Sequence, residues 1–100
     1  LNNFAYSLAE RKERLEYADS LCNVALNLEP SNPFFMDTKA WILYQLKDYN
    51  EAIEWLNKAI RINPKDIEVF IHAKQVYIKL GNQTMANEMQ QRIDALRGEK

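Results

Sequence analysis

Apolar positions along this chain fall at helical spacing, and short breaks divide them into segments of similar length. The spacing predicts six helices, over roughly 1–11, 15–28, 33–46, 49–62, 67–80 and 83–97. The breaks carry the chemistry that starts and stops helices. Asn32 before Pro33 is a capping side chain followed by a residue preset for the first helical position, and Asp66 can cap a later helix. Asp48 with Glu51 three residues on has the form of a capping box. Gly81-Asn82 supplies a left-handed stop and then a new cap, and Pro64 falls between helices, where its missing N–H costs little.

These segments repeat. Ala18, Ala52 and Ala86 recur every 34 positions, and the same step relates Ala25 to Ala59, Pro30 to Pro64, and Leu28 to Ile62 and Leu96. Two antiparallel helices of this length cannot bury their apolar faces alone, so neighbouring pairs must stack into a curved solenoid with a groove on its inner side. Alanines at 18, 25, 40, 52, 59 and 86 suit that arrangement, because small side chains let helices approach while Leu, Ile and Tyr fill the spaces between them. The expectation is a single all-α domain over 1–100, with repeats at about 1–30, 33–64 and 67–97, the first lacking its start.

The residues that carry this pattern resemble the tetratricopeptide repeat (TPR) family. Segment 33–64 does so most clearly, through Ala40, Lys47-Asp48-Tyr49, Glu51-Ala52-Ile53, Ala59 and Ile62-Asn63-Pro64. Segment 67–97 follows through Val76-Tyr77, Leu80-Gly81, Ala86 and Leu96, and the wording of residues 37–44 is similar to bacterial members, often C-terminal parts of longer repeat proteins. The resemblance implies an α-solenoid of three helix-turn-helix units in a right-handed superhelix, and a scaffolding function. Two positions depart from the family's habit: Lys39 stands where a large apolar residue is usual, and Lys74 where glycine or alanine is usual. A buried unpaired ammonium is costly, so each lysine is expected to lay its stem along the packing surface and bring its charge out to water.

Composition adds limits. With 13 basic and 14 acidic residues mixed along the chain, a net charge of −1 offers no field to neutralise a run of phosphates, so nucleic acid is not an expected partner. No apolar run approaches the roughly 20 residues that span a bilayer, so no membrane insertion is expected of this segment. The single cysteine, Cys22, reads as a small core residue. His72 is the only histidine, with Glu68 and Gln75 as its nearest helpers on the same helix, and no second metal ligand or nucleophile is placed to complete a site. Without a glycine-rich phosphate loop, H-E-x-x-H or C-x-x-C, neither enzyme activity nor a cofactor is expected. Arg11, Lys12 and Arg14 sit among Glu10, Glu13 and Glu16, which reads as a solvated turn.

What remains is the groove. In the family fold its wall comes from the first helix of each pair, whose positions i, i+3, i+4, i+7 and i+11 share one side. That selects Asn2, Asn3 and Tyr6 at the start, then Phe34, Asp37, Thr38, Trp41 and Gln45 in the middle repeat, and Glu68, Ile71, His72, Gln75 and Lys79 in the last. Aromatic rings flanked by amides and acids suit a peptide segment of a partner protein. The specialised clamps that hold C-terminal carboxylates in some family members need lysine, arginine and asparagine converging on these positions, and here they do not converge. Two other readings stand beside peptide binding: the end of a longer array whose groove has no ligand, and a regulatory part of a larger enzyme. The apolar opening segment, with Leu1, Phe4, Ala5 and Leu8, contrasts with the polar closing helix. It leads us to expect a further repeat before Leu1 in a longer parent chain, and self-association through the first helix in its absence.

Overall fold

The computed structural model describes residues 3–98, with side-chain surroundings from residue 10 onward. Five helices follow one another: α1 (Asn3–Leu28), α2 (Pro33–Gln45), α3 (Tyr49–Ile62), α4 (Ile67–Lys79) and α5 (Gln83–Gly98). Among the described residues there is no strand. α2 packs on α3 and α4 on α5, α3 and α4 join the two pairs, and α1 packs on α2. The result is an elongated all-α solenoid of 53 × 33 × 23 Å.

The starts of the helices follow the expected chemistry. Asn32 Oδ1 accepts from the N–H groups of Phe34 and Phe35, Asp66 from Glu68 N–H, and Asn82 from Met85 N–H. Asp48 accepts from Glu51 N–H at 3.3 Å. The reciprocal half of that capping box is not made, because Asp48 N–H is bonded to the Leu43 carbonyl and the Glu51 carboxylate accepts instead from the Trp55 indole.

From Asn3 onward, the two segments expected over 1–11 and 15–28 are one continuous helix, Asn3–Leu28, rather than a hairpin. The physical reason is visible in Glu10-Arg11-Lys12-Glu13-Arg14-Leu15, which holds strong helix formers and neither glycine, proline nor a capping side chain. An ion pair between Arg14 and Glu10 at 2.6 Å, one helical turn apart, adds to it. The basic run read as a solvated turn therefore lies within a helix. A consequence shows in the packing of α1: Ala18 and Ala25 stay partly exposed, whereas Ala52, Ala59 and Ala86, at corresponding places in the period, are wholly buried. Tyr17, Leu21, Val24 and Leu28 form an apolar stripe along α1, each more than half exposed.

The core runs through α2–α5, where Ala40, Ala52, Ala59, Ala73 and Ala86 have no exposed surface and Leu56, Val69, Phe70, Val76 and Ile93 fill the volume between helices. Cys22 belongs to this core. Its thiol donates to the Phe35 carbonyl at 3.3 Å, and burial pushes its pKa up. Lys39 does not bring its charge out. It is buried, and its ammonium donates to Asp19 Oδ1 at 2.7 Å and Asn23 Oδ1 at 2.8 Å, both on α1. Reaching water was unnecessary because α1 presents two oxygen acceptors against this face of α2. Lys74 is half-buried and likewise partnered, donating to Gln90 Oε1 at 2.7 Å on α5.

Two helix ends share one geometry. After α2, Lys47 N–H bonds to the Tyr44 carbonyl and Asp48 N–H to that of Leu43; after α4, Gly81 N–H bonds to Ile78 and Asn82 N–H to Tyr77. Both turns need a left-handed residue, supplied by Gly81 at φ +75° and by Lys47 at φ +68°. A side chain at that φ costs about 1 kcal/mol or more relative to glycine. Replacing Lys47→Gly is therefore expected to stabilise the fold by about 1 kcal/mol, read as a higher urea midpoint at unchanged slope. A lower midpoint would show that the lysine side chain returns more than its backbone costs.

Candidate functional site

The first helices of the two complete pairs, α2 and α4, lie close enough to touch, and their facing side chains form one cluster. His72 Nδ1 lies 2.7 Å from Asp37 Oδ1, linking α4 to α2. The imidazole stacks on the Trp41 indole, with centroids 4.4 Å apart and planes 28° apart. Trp41 in turn stacks on Tyr44 at 4.8 Å, nearly parallel at 4°, and Tyr44 meets Tyr49 edge-on at 5.5 Å. An acid, an imidazole and three aromatic rings thus form a continuous line from the start of α2 towards the turn before α3. Helical spacing accounts for it: Asp37, Trp41 and Tyr44 follow at four and three residues along α2, so they share one side.

The Asp37 hydrogen bond is the main cause that raises the His72 pKa above the ordinary imidazole value. Burial opposes it, and the charges of Asp37, Glu68 and Asp66 add to the rise. Glu68 stands 4.0 Å from Nε2, on the same helix. Protonated, His72 donates to Asp37 and presents a cation to the indole face.

The positions expected to line the groove separate into four groups. Asp37, Trp41 and His72 meet as described, with Glu68 at the exposed margin. Phe34, 71 % exposed, and Thr38, whose hydroxyl donates to the Phe34 carbonyl at 3.0 Å, stand in the open on the first turns of α2. Ile71 and Gln75 line a separate recess of 380 Å³ between α4 and α5, with Lys74, Ile78, Gln90, Ile93 and Arg97. Gln45 and Lys79 line a third place, a cleft of 630 Å³ at the other end of the helices. Asn2 lies outside the described residues, as do the side chains of Asn3 and Tyr6 and those of Leu1, Phe4, Ala5 and Leu8.

Two features escaped the sequence reading. His72 takes its partner from α2 and not from Gln75 on its own helix, and the signal for this was the 35-residue separation of Asp37 and His72, close to one period. Tyr44 and Tyr49 extend the aromatic line. Neither Phe34 nor Trp41 joins the buried core, although aromatics at helical spacing usually do. Among the described residues, no three His, Cys, Asp or Glu side chains converge as metal ligands, and no helix is long and apolar enough to cross a membrane.

Comparison with known proteins gives a family and a fold. A family profile described as TPR repeat matches residues 41–82. The TPR repeat-containing protein MJ1428 of Methanocaldococcus jannaschii is 40% identical over 55 residues, which are 55% of this chain and 9% of that protein. The TPR repeat-containing protein PA4667 of Pseudomonas aeruginosa is 35% identical over 72 residues, 72% of this chain and 12% of that protein. The chain thus spans about a tenth of the length of these relatives. Among solved structures, MamA AMB-1 superposes with a TM-score of 0.80 over 88% of this chain and 48% of that one, at 18% identity, a likeness of fold.

The imidazole gives a direct test of this geometry. A group whose pKa is raised on folding contributes stability that is fully present below its unfolded value and is lost as pH rises through the folded value. His72 is the only histidine, so its ring resonance titrates alone in a proton NMR spectrum. Its midpoint is expected to lie higher in the folded chain than in concentrated urea, and to fall in Asp37→Asn. The stability advantage of the parent over His72→Gln should shrink over the interval in which pH rises from below the ordinary imidazole value to above the raised one. An advantage that grows over this interval would contradict the Asp37–His72 bond.

Proposed function

We propose, on the premise that this chain is a tetratricopeptide-repeat protein, that its function is to hold a peptide segment of a partner protein along the α2–α4 face centred on Trp41 and His72. In general terms such repeats serve protein–protein interaction, and this reading assigns the chain binding and not catalysis. The observation that carries it is the Asp37–His72–Trp41–Tyr44 line, which is half-buried and so accessible along one edge, unlike the wholly buried alanine contacts. Rings locked by stacking offer contact area with little rotamer freedom to lose, and the polar groups at Thr38 and Glu68 can set register, with Gln75 a flanking position. Asn2, Asn3, Tyr6, Phe34, Gln45, Ile71 and Lys79 belong to the same proposal as flanking positions.

Peptides selected from a random twelve-residue library on the immobilised chain test this. Their binding should perturb Trp41 emission and weaken at least about tenfold in Thr38→Arg, while Glu54→Arg on α3 leaves it within about twofold. Peptides equally sensitive to both substitutions would remove the groove from the proposal.

A second reading concerns self-association, and the exposed stripe of Tyr17, Leu21, Val24 and Leu28 favours it. A contiguous apolar face of this kind is unusual on a monomer. Sedimentation velocity across concentrations is expected to show a reversible dimer in the parent and a monomer in Leu21→Glu/Val24→Lys. A dimer retained by that variant, or a parent monomeric at high concentration, would end the reading.

A further inference from the structure

The 630 Å³ cleft lies where the C-terminal ends of α2 and α4 approach the middle of α1 and the start of α3. Four cationic side chains from three places in the chain line it: Arg11 and Lys12 on α1, Lys47 in the turn after α2, and Lys79 at the end of α4. Tyr44 and Tyr49 form part of its wall, and no carboxylate lines it. Among the described residues none of the four cations is in an ion pair, and Arg11 donates only to the neutral Gln45 amide at 3.3 Å. Asp48, next to Lys47 in sequence, has its carboxylate engaged in capping α3.

A basic residue at a helix C-terminus ordinarily complements the helix dipole, which is a sufficient account of Lys79. It does not account for Arg11 and Lys12, which stand in mid-helix. Lys47 adds an independent observation. Its backbone is held at φ +68°, in the turn geometry that Gly81 adopts without penalty one period later. A strained residue beside a recess points to a role there for its side chain.

We infer that this cleft receives an acidic segment of a partner protein, with its Asp or Glu carboxylates set among Arg11, Lys12, Lys47 and Lys79 and its aliphatic stems against Tyr44 and Tyr49. The inference rests on the reading of the chain as a peptide-binding module and names the chemistry of the peptide. Compact carboxylates suit the site better than a polyanionic strand. Glu13 and Glu16 on the same helix, Asp37 and Glu68 further along the groove, and a net charge of −1 oppose an extended phosphate backbone.

Fluorescence anisotropy with fluorescein-labelled hexaglutamate at about 50 mM salt tests it. The expected result is saturable binding that weakens at least about tenfold in Lys47→Glu/Lys79→Glu and stays within about twofold in Lys58→Glu/Lys65→Glu, which makes the same charge change away from the cleft. Lys47→Gly keeps the turn while removing one charge, so it should weaken binding about threefold in a chain that remains folded. Equal loss in both double variants, no saturable binding, or tighter binding of dodecathymidylate than of hexaglutamate would each overturn the inference. Thr38→Arg should leave hexaglutamate binding unchanged. Library peptides that need Thr38 while hexaglutamate fails to bind would sink the cleft alone, and the reverse pattern would sink the α2–α4 groove alone.

Discussion

The structure depends on how closely its helices can approach. Five alanines on α2, α3, α4 and α5 have no exposed surface, so at each of them a neighbouring helix lies directly against the Cβ. Larger side chains there would push the helices apart and open the space that Leu56, Phe70 and Ile93 now fill. The same close approach brings α2 within reach of α4, which is the condition for a 2.7 Å bond between Asp37 and His72. Core packing and groove geometry are thus two results of one constraint.

Much of this was legible in the residues. The alanine period and the caps at Asn32, Asp48, Asp66 and Asn82 locate α2 to α5 to within a residue or so, because caps and small contact residues act locally and leave local signatures. The hairpin expected in the first repeat failed for an instructive reason. Repeat register asked for a turn near residue 12, but no residue there can break a helix, and local propensity prevailed. Partnerships between helices were the less legible part. Lys39 is buried because Asp19 and Asn23 meet it from another helix, and His72 is held by Asp37 from another pair. A single sequence carries no local mark of either meeting.

The groove is also electrically uneven. Asp37, Asp66 and Glu68 cluster near the N-terminal ends of α2 and α4, where helix dipoles favour negative charge, and Lys47 and Lys79 stand at the opposite ends. Between them runs the aromatic line of Trp41, Tyr44 and Tyr49. The face therefore has a direction, and a ligand that reads both charge and ring surface can lie on it in one orientation better than in the other.

Buried Lys39 has a further consequence for the edge of the stack. Among the described helices α1 packs on α2 alone, so it can open without disturbing the contacts among α2 to α5. When α1 lifts away, the surface of α2 that it uncovers is not a bare hydrocarbon strip. It carries an ammonium near its centre, which water solvates well and which a stray apolar surface cannot match. The lysine that ties α1 in place thus also makes its former seat a poor place for anything else to stick.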